Sequence, residues 1–355
     1  MLAHPLGPMK LRKATLVSLA FLLVGIGFLV ALLTHFDLSG VLNNLRHVGW
    51  AFAVGFAVST LGNACAAQAW LVLIGPPSAR PRFADVLGAQ WAGMALNQIT
   101  PGAALGEVLK GSMLAGRASS RELTASLLMF NLLDIMTTQA ANLIAPLFCL
   151  IVLPWRIPLA MLALGVVLLL PLWLLFALLH RGATSRLVRV LGKLPIKRLR
   201  DAEGLKRWAS SVDQSLREYR TLRRREFRHA IVCLFGVRLL QIFELIIYLR
   251  VLMPATSFPV ILALAFLAQN ATQLLGWVAN IFPGLIGVAE SGGAGLFRLV
   301  GFDPTIGLAL MLVRRARWLL GVVVGLGIGL FFGLGRGAER PAPVPERPDQ
   351  PMAAE

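Results

Sequence analysis

The sequence predicts an all-α integral membrane protein made of two inverted repeats, each with about three spanning helices and one re-entrant hairpin broken at Pro-Gly. Three observations lead there. The 355 residues are 57% hydrophobic and only 14% charged, too few charges to clothe a soluble protein of this length. The apolar residues come in blocks long enough to cross a bilayer. A motif centred on Pro-Gly occurs twice, once in each half of the chain.

The blocks are Ala14–Leu33, Trp50–Ile74, Leu123–Leu153, Pro158–Leu179, Ala230–Met253, Phe258–Phe282 and Trp318–Leu334. Each approaches or exceeds the ~20 residues that cross ~30 Å of hydrocarbon. Lipid offers no water to a free backbone, so helices are the reading for all seven. Lys10, Arg12 and Lys13 precede the first block in the manner of a secretion signal. The block is long and lacks a small-x-small cleavage site before Phe36, so a retained signal anchor is expected.

Charge places the loops. Between Arg181 and Arg228 stand 15 Lys/Arg against five acids, an excess of +10. Nucleic-acid binding is the tempting reading of such a run, but cytoplasmic loops of membrane proteins carry the same bias, and no nucleic-acid partner is expected. Leu205, Trp208, Val212, Leu216 and Tyr219 recur at spacings of three and four. With Lys206, Arg207, Arg217 and Arg220 around them, they predict an amphipathic helix on an anionic lipid surface within loop 181–229. The basic residues at the N-terminus, at Arg80 and Arg82, and at Lys110, Arg117 and Arg121 all call for the cytoplasmic side. That is met if the stretch between the last two groups dips in and returns. The predicted layout is a first repeat over 1–152 with a hairpin at about 83–115, then a second over 153–335 with a hairpin at about 258–300. Residues 336–355, with five prolines, form a disordered tail. Both termini are then cytoplasmic, in the cytoplasmic (inner) membrane.

The repeated motif is the most informative feature. Its first copy runs Asn97-Gln-Ile-Thr-Pro101-Gly102-Ala-Ala-Leu-Gly106-Glu107, and its second Asn280-Ile-Phe-Pro283-Gly284-Leu-Ile-Gly287-Val-Ala-Glu290. Proline removes a backbone donor and glycine weakens a helix, so each site should break one. Broken helices at membrane depth are tolerated where they line a wet cavity or lie buried in protein. Paired breaks in two halves point to a transporter-like binding site, although Pro-Gly is common enough in membrane proteins to recur by chance.

Polar residues inside the blocks need a reason, since a charge at the bilayer centre costs about 2.5–3.5 kcal/mol on insertion scales. Asn131, Asp134, Thr138 and Asn142 form one helical stripe, Gln269, Gln273 and Asn280 a second, and Arg238, Gln241 and Glu244 a third. Arg314, Arg315 and Arg317 open the last block, whose Gly321, Gly325 and Gly329 make a face for close helix packing. These stripes should turn into a shared interior. Either they are buried ion pairs that fix packing, or they form a hydrated groove. In the groove reading Lys110, Arg314 or Arg317 attract an anionic headgroup, and Glu107 and Glu290 hold hairpin backbone or a cationic group. The candidate substrate-binding residues are Asn97, Pro101, Gly106, Glu107, Lys110, Asp134, Arg238, Glu244, Asn280, Pro283, Gly287, Glu290, Arg314 and Arg317.

Nothing points to soluble enzyme chemistry. The three cysteines sit inside apolar blocks, the five histidines lack metal-ligand spacing, and no nucleophile elbow or phosphate loop is present. No cofactor, metal or catalytic residue is expected.

At these motifs, from Trp50 to about Gly333, the chain resembles the membrane region of the lysylphosphatidylglycerol synthase (flippase) superfamily. The resemblance rests on Asn97–Arg117 with Pro101, Gly106 and Glu107, on Asp134, on Pro283–Glu290, and on Leu312–Arg317. Pro283–Gly293 and Leu312–Arg317 are also similar to a hopanoid-biosynthesis-associated branch. The second motif departs from the usual Pro-Gly-Gly-x-Gly, with Leu285 and Ile286 after Gly284, which implies a tighter or drier hairpin. The resemblance implies movement of a charged or amphipathic lipid between leaflets, anionic or hopanoid-linked, or assistance to lipid-biosynthesis enzymes as partners. It leaves open a homo-oligomer. No aminoacyl-transferase stretch is evident, so synthase activity is not expected. The leading expectation is lipid translocation. A membrane-embedded transferase using a lipid or polyprenyl-linked donor is the alternative, with Glu107 and Asp134 its acidic pair, and a non-catalytic scaffold is the third.

Overall fold

The computed structural model describes residues 38–76, 78, 80–99, 105–167, 223–278 and 287–335. Nine helices are described: α1 (Leu38–Leu73), α2 (Phe83–Ile99), α3 (Leu105–Met113), α4 (Ser120–Val152), α5 (Arg156–Val167), α6 (Arg224–Leu252), α7 (Phe258–Val278), α8 (Val288–Leu299) and α9 (Pro304–Gly335). No strand occurs among the described residues. Within these helices Val48–Leu73, Glu122–Val152, Arg224–Leu252 and Phe258–Gly276 are long and apolar enough to cross a membrane. The chain is an all-α integral membrane protein. The first apolar block, most of the basic loop with its amphipathic stretch, the tail, and Pro101, Asn280 and Pro283 lie outside the described residues.

Local chemistry explains three of the helix starts. Ser119 caps α4 by accepting a hydrogen bond from the Glu122 amide at 3.2 Å. Gly287 precedes α8 at φ 80°, a conformation that costs a side-chain-bearing residue and glycine little. Asp303 accepts from the Thr305 amide at 2.9 Å, and Pro304 supplies the first residue of α9. That start corrects one expectation. The last helix begins well before Trp318, so Arg314, Arg315 and Arg317 lie inside it and do not open it. Two other boundaries move as well. α1 begins at Leu38, ahead of the apolar block that opens at Trp50, and is broken at Gly49 (φ 24°), and α6 begins at Arg224, inside the stretch assigned to the basic loop.

The core falls into two apolar clusters. One gathers Val48, Ala51, Leu245, Tyr248, Leu249, Leu264, Phe297 and Leu310. The other gathers Trp70, Leu73, Ala89, Leu114, Phe130 and Leu234. α1 enters the first cluster with its N-terminal half and the second with its C-terminal half, while α6 does the reverse. The two helices therefore run antiparallel, in the most extensive pairing among the described helices. Between the clusters both helices carry polar residues: Ser59 and Asn63 on α1, Arg238, Gln241 and Glu244 on α6.

The remaining helices close around that pair, and the two halves of the chain interlock. α2 packs on α9, and α7 packs on α4. Small residues set these distances. A Cβ on Gly325 would strike the Trp91 carbonyl and Ala95. A Cβ on Gly106 would meet the carbonyl oxygen of Gly93, and one on Gly307 that of Gly293, so α2–α3 and α8–α9 are both glycine-on-glycine contacts. Gly325 and Gly329 thus do pack closely, against α2, whereas Gly321 has nothing within 4 Å of its Cβ position.

Candidate functional site

The polar residues between the clusters surround a cavity of about 760 Å³. Residues of α1, α2, α3, α4, α6, α7, α8 and α9 line it, so both halves of the chain contribute. Its size falls within the ~300–1,000 Å³ usual for small-molecule sites.

On the α3 side Glu107 is held at both oxygens. Its Oε1 accepts from Lys110 Nζ at 2.8 Å and Asn97 Nδ2 at 3.0 Å, and its Oε2 from Asn131 Nδ2 at 3.0 Å. Asn97 also accepts from the Gly106 amide at 2.7 Å, which satisfies an otherwise unpaired donor in the first turn of α3. The end of α2 is thereby tied to the start of α3 across the first motif. Lys110 is 3% exposed, and its ammonium lies 5.5 Å from the centre of the Phe130 ring.

A hydrogen-bonded chain crosses the cavity from α4 to α9. Asp134 pairs with Arg238, and Arg238 donates to Gln241 Oε1 at 3.3 Å. Gln269 Nε2 donates to the same oxygen at 3.1 Å. Arg314 in turn donates to Gln269 Oε1 and to Thr272 Oγ1, each at 3.0 Å. The other two arginines of α9 are neutralised by buried acids. Arg315 Nε lies 2.9 Å from Glu290 Oε1, and Arg317 Nε lies 2.7 Å from Glu244 Oε1, with Arg317 also donating to Ser59. Glu290 reaches back to accept from the Gly287 amide at 2.8 Å.

Among the described residues five cations line the cavity: Lys110, Arg238, Arg314, Arg315 and Arg317. Glu107, Asp134, Glu290 and Glu244 pair with four of them. Arg314 makes no ion pair among the described residues; its hydrogen bonds go to neutral oxygens, and the nearest acid acting on it, Glu244, is already paired with Arg317. Counted over the described residues, the cavity is left with one surplus positive charge, on α9 where Arg314 and Arg317 share Glu244.

Of the residues singled out from sequence, Asn97, Glu107, Lys110, Asp134, Arg238, Arg314 and Arg317 line this cavity together. Glu244 lines a smaller void of about 150 Å³ beside it, shared with Arg314 and Arg317. Glu290 is fully buried behind Arg315 and does not reach the cavity, which leaves it a partner for backbone and arginine instead of a contact for a headgroup. Gly106 and Gly287 act through backbone geometry. Sequence reasoning missed Asn63, Gln90, Gln98 and Thr272 as lining residues. Helical spacing offered a signal for two sets of them: Ser59 and Asn63 are four apart, and Gln90, Met94, Asn97 and Gln98 follow one face of α2.

The family described as Lysylphosphatidylglycerol synthase TM region matches residues 16–325. The chain belongs to that family. No curated protein and no solved structure matches it. The match covers the family as a whole, and the hopanoid-associated branch has no separate support. Within this member of the lysylphosphatidylglycerol synthase membrane family, all described portions of the cavity wall fall inside the matched residues.

Proposed function

We propose that this protein moves an amphipathic lipid with an anionic headgroup between the leaflets of the cytoplasmic membrane, the headgroup passing through the polar cavity. The observation that carries the reading is the surplus charge on Arg314. A guanidinium hydrogen-bonded only to neutral groups, with the one acid near it already paired with Arg317, attracts an anion through charge-assisted hydrogen bonds. Its present partners, Gln269 and Thr272, are neutral, so an incoming phosphodiester displaces weak contacts and leaves no acid unpaired.

The transferase alternative has in its favour that Glu107 and Asp134 share the cavity wall. Each is committed to a cation, Lys110 and Arg238, which suits them to holding charge balance and not to delivering a proton. The balance of support therefore lies with translocation.

The test uses proteoliposomes containing tail-labelled phosphatidylglycerol or phosphatidylcholine, with an impermeant quencher to report lipid crossing. Native protein is expected to scramble phosphatidylglycerol in preference to the zwitterion. Arg314→Gln should abolish the preference and most of the rate, and Arg314→Lys should retain part of both. Equal rates in native and Arg314→Gln protein, both monodisperse and equally heat-stable, would overturn the reading.

A further inference from the structure

A separate cavity, of about 160 Å³, lies between α4, α6 and α7. Its surface is almost entirely carbon, contributed among others by Ala145, Ile242 and Phe266. Its origin is local. Pro146 has no amide hydrogen, so the Asn142 carbonyl one turn earlier loses its helical donor. Asn270 of α7 takes that carbonyl instead, at 2.7 Å, and the void lies beside this crossing.

Two features say what occupies it. The slot shares Arg238 and Gln241 with the polar cavity, so the two are neighbours across one pair of side chains. Its outer lip carries Ile144 and Leu239, which are 56% and 67% exposed on the apolar exterior of the bundle, where lipid replaces water. A space of this size is below the ~300 Å³ of sites that enclose a whole small molecule. It suits part of a longer ligand that continues on both sides.

We infer that this slot holds a segment of an acyl chain of the lipid whose headgroup occupies the polar cavity. The inference rests on the translocation reading for the headgroup, and it specifies the substrate as an acyl lipid admitted from the side, between α4 and α6. Arg238 sits at the boundary, where the polar and apolar parts of such a molecule meet, and Asp134 holds it there.

Full-length protein is reconstituted in phosphatidylcholine vesicles containing phosphatidylglycerol with a mid-chain diazirine, and adducts are mapped after irradiation. Bulk lipid reaches exposed positions such as Val232 and Val323, but not Ala145 or Asn270, which are 5% and 2% exposed. The inference expects adducts on Ala145 and on the α7 stretch around Asn270, competed by excess unlabelled phosphatidylglycerol. Ala145→Trp, which fills the slot, should lower those adducts about tenfold, equivalent to ~1.4 kcal/mol of chain binding, with Val232 and Val323 labelled as before. If Ala145→Trp is not monodisperse, Ala141→Leu serves in its place. Absence of slot adducts, or adducts indifferent to filling, overturns the slot. Scrambling measured on the same vesicles separates the two ideas. Arg314-dependent scrambling with an unlabelled slot sinks the chain site alone, whereas a labelled, fillable slot without scrambling sinks translocation alone.

Discussion

Glu107 can remain a carboxylate among apolar helices because three donors meet its two oxygens, one of them the buried Lys110. Removing one member of a buried pair leaves the other desolvated and alone, at a cost of about 3–5 kcal/mol. Glu107→Gln should therefore lower the melting temperature sharply, and adding Lys110→Met should recover most of the loss. A double variant no more stable than the single one would mean that the pair contributes nothing through its charge. Arg314 behaves oppositely. Its hydrogen bonds go to neutral oxygens and Glu244 retains Arg317, so Arg314→Gln should keep or raise thermal stability while transport falls. A residue that costs stability and serves activity is the signature expected of a substrate contact, and parallel loss of both would assign Arg314 to packing.

At the level of helices, glycine carbonyls and one proline determine how close the elements come. Gly106→Ala and Gly307→Ala push a methyl into a facing backbone carbonyl, which cannot rotate away. Both should destabilise by about 1–3 kcal/mol, as overpacking does, whereas Gly321→Ala, with open space around it, should be neutral. Similar melting temperatures for all three would show that α2–α3 and α8–α9 slide apart freely. The Pro146–Asn142–Asn270 arrangement makes a sharper case. Asn270→Ala leaves the Asn142 carbonyl without a donor, a loss of about 1–2 kcal/mol at most in a membrane setting. In a Pro146→Ala background the helix supplies its own amide, so the same substitution should cost less. Equal costs in the two backgrounds would separate the Asn270 contact from the proline.

Across the whole molecule, α2 lies on α9 and α4 on α7, so any parting of the two halves must open these seams. Ala92 and Gly329 face each other there, with an added Cβ on Gly329 only 3.3 Å from that of Ala92. That is near the ~3.5–4.5 Å spanned by a disulfide. In a background with Cys65, Cys149 and Cys233 changed to alanine, Ala92→Cys with Gly329→Cys should cross-link under oxidation. Scrambling should then stop and return on reduction. Undiminished scrambling by the fully cross-linked protein would show that lipid crosses without the seam opening.

The sequence by itself determined the solvent, the secondary structure and most of the polar inventory. Apolar runs of bilayer length admit only helices or closed barrels, and stripes such as Asn131–Asp134–Thr138 and Arg238–Gln241–Glu244 can only turn inward. Asn97, Glu107, Lys110, Asp134 and the α9 arginines were all visible as polar or charged groups that needed partners. Which partner each takes was not, because pairing depends on distances between helices far apart in the chain. Glu290 and Glu107 look alike in the two motifs, yet one is sealed behind Arg315 and the other lines the cavity. Likewise nothing local distinguishes Arg314 from Arg315 or Arg317; a step of about 100° per residue around α9 points each to a different neighbour. Only the packed structure left one of the three outside ion-pair distance of every acid among the described residues, and the site's charge follows from that geometry.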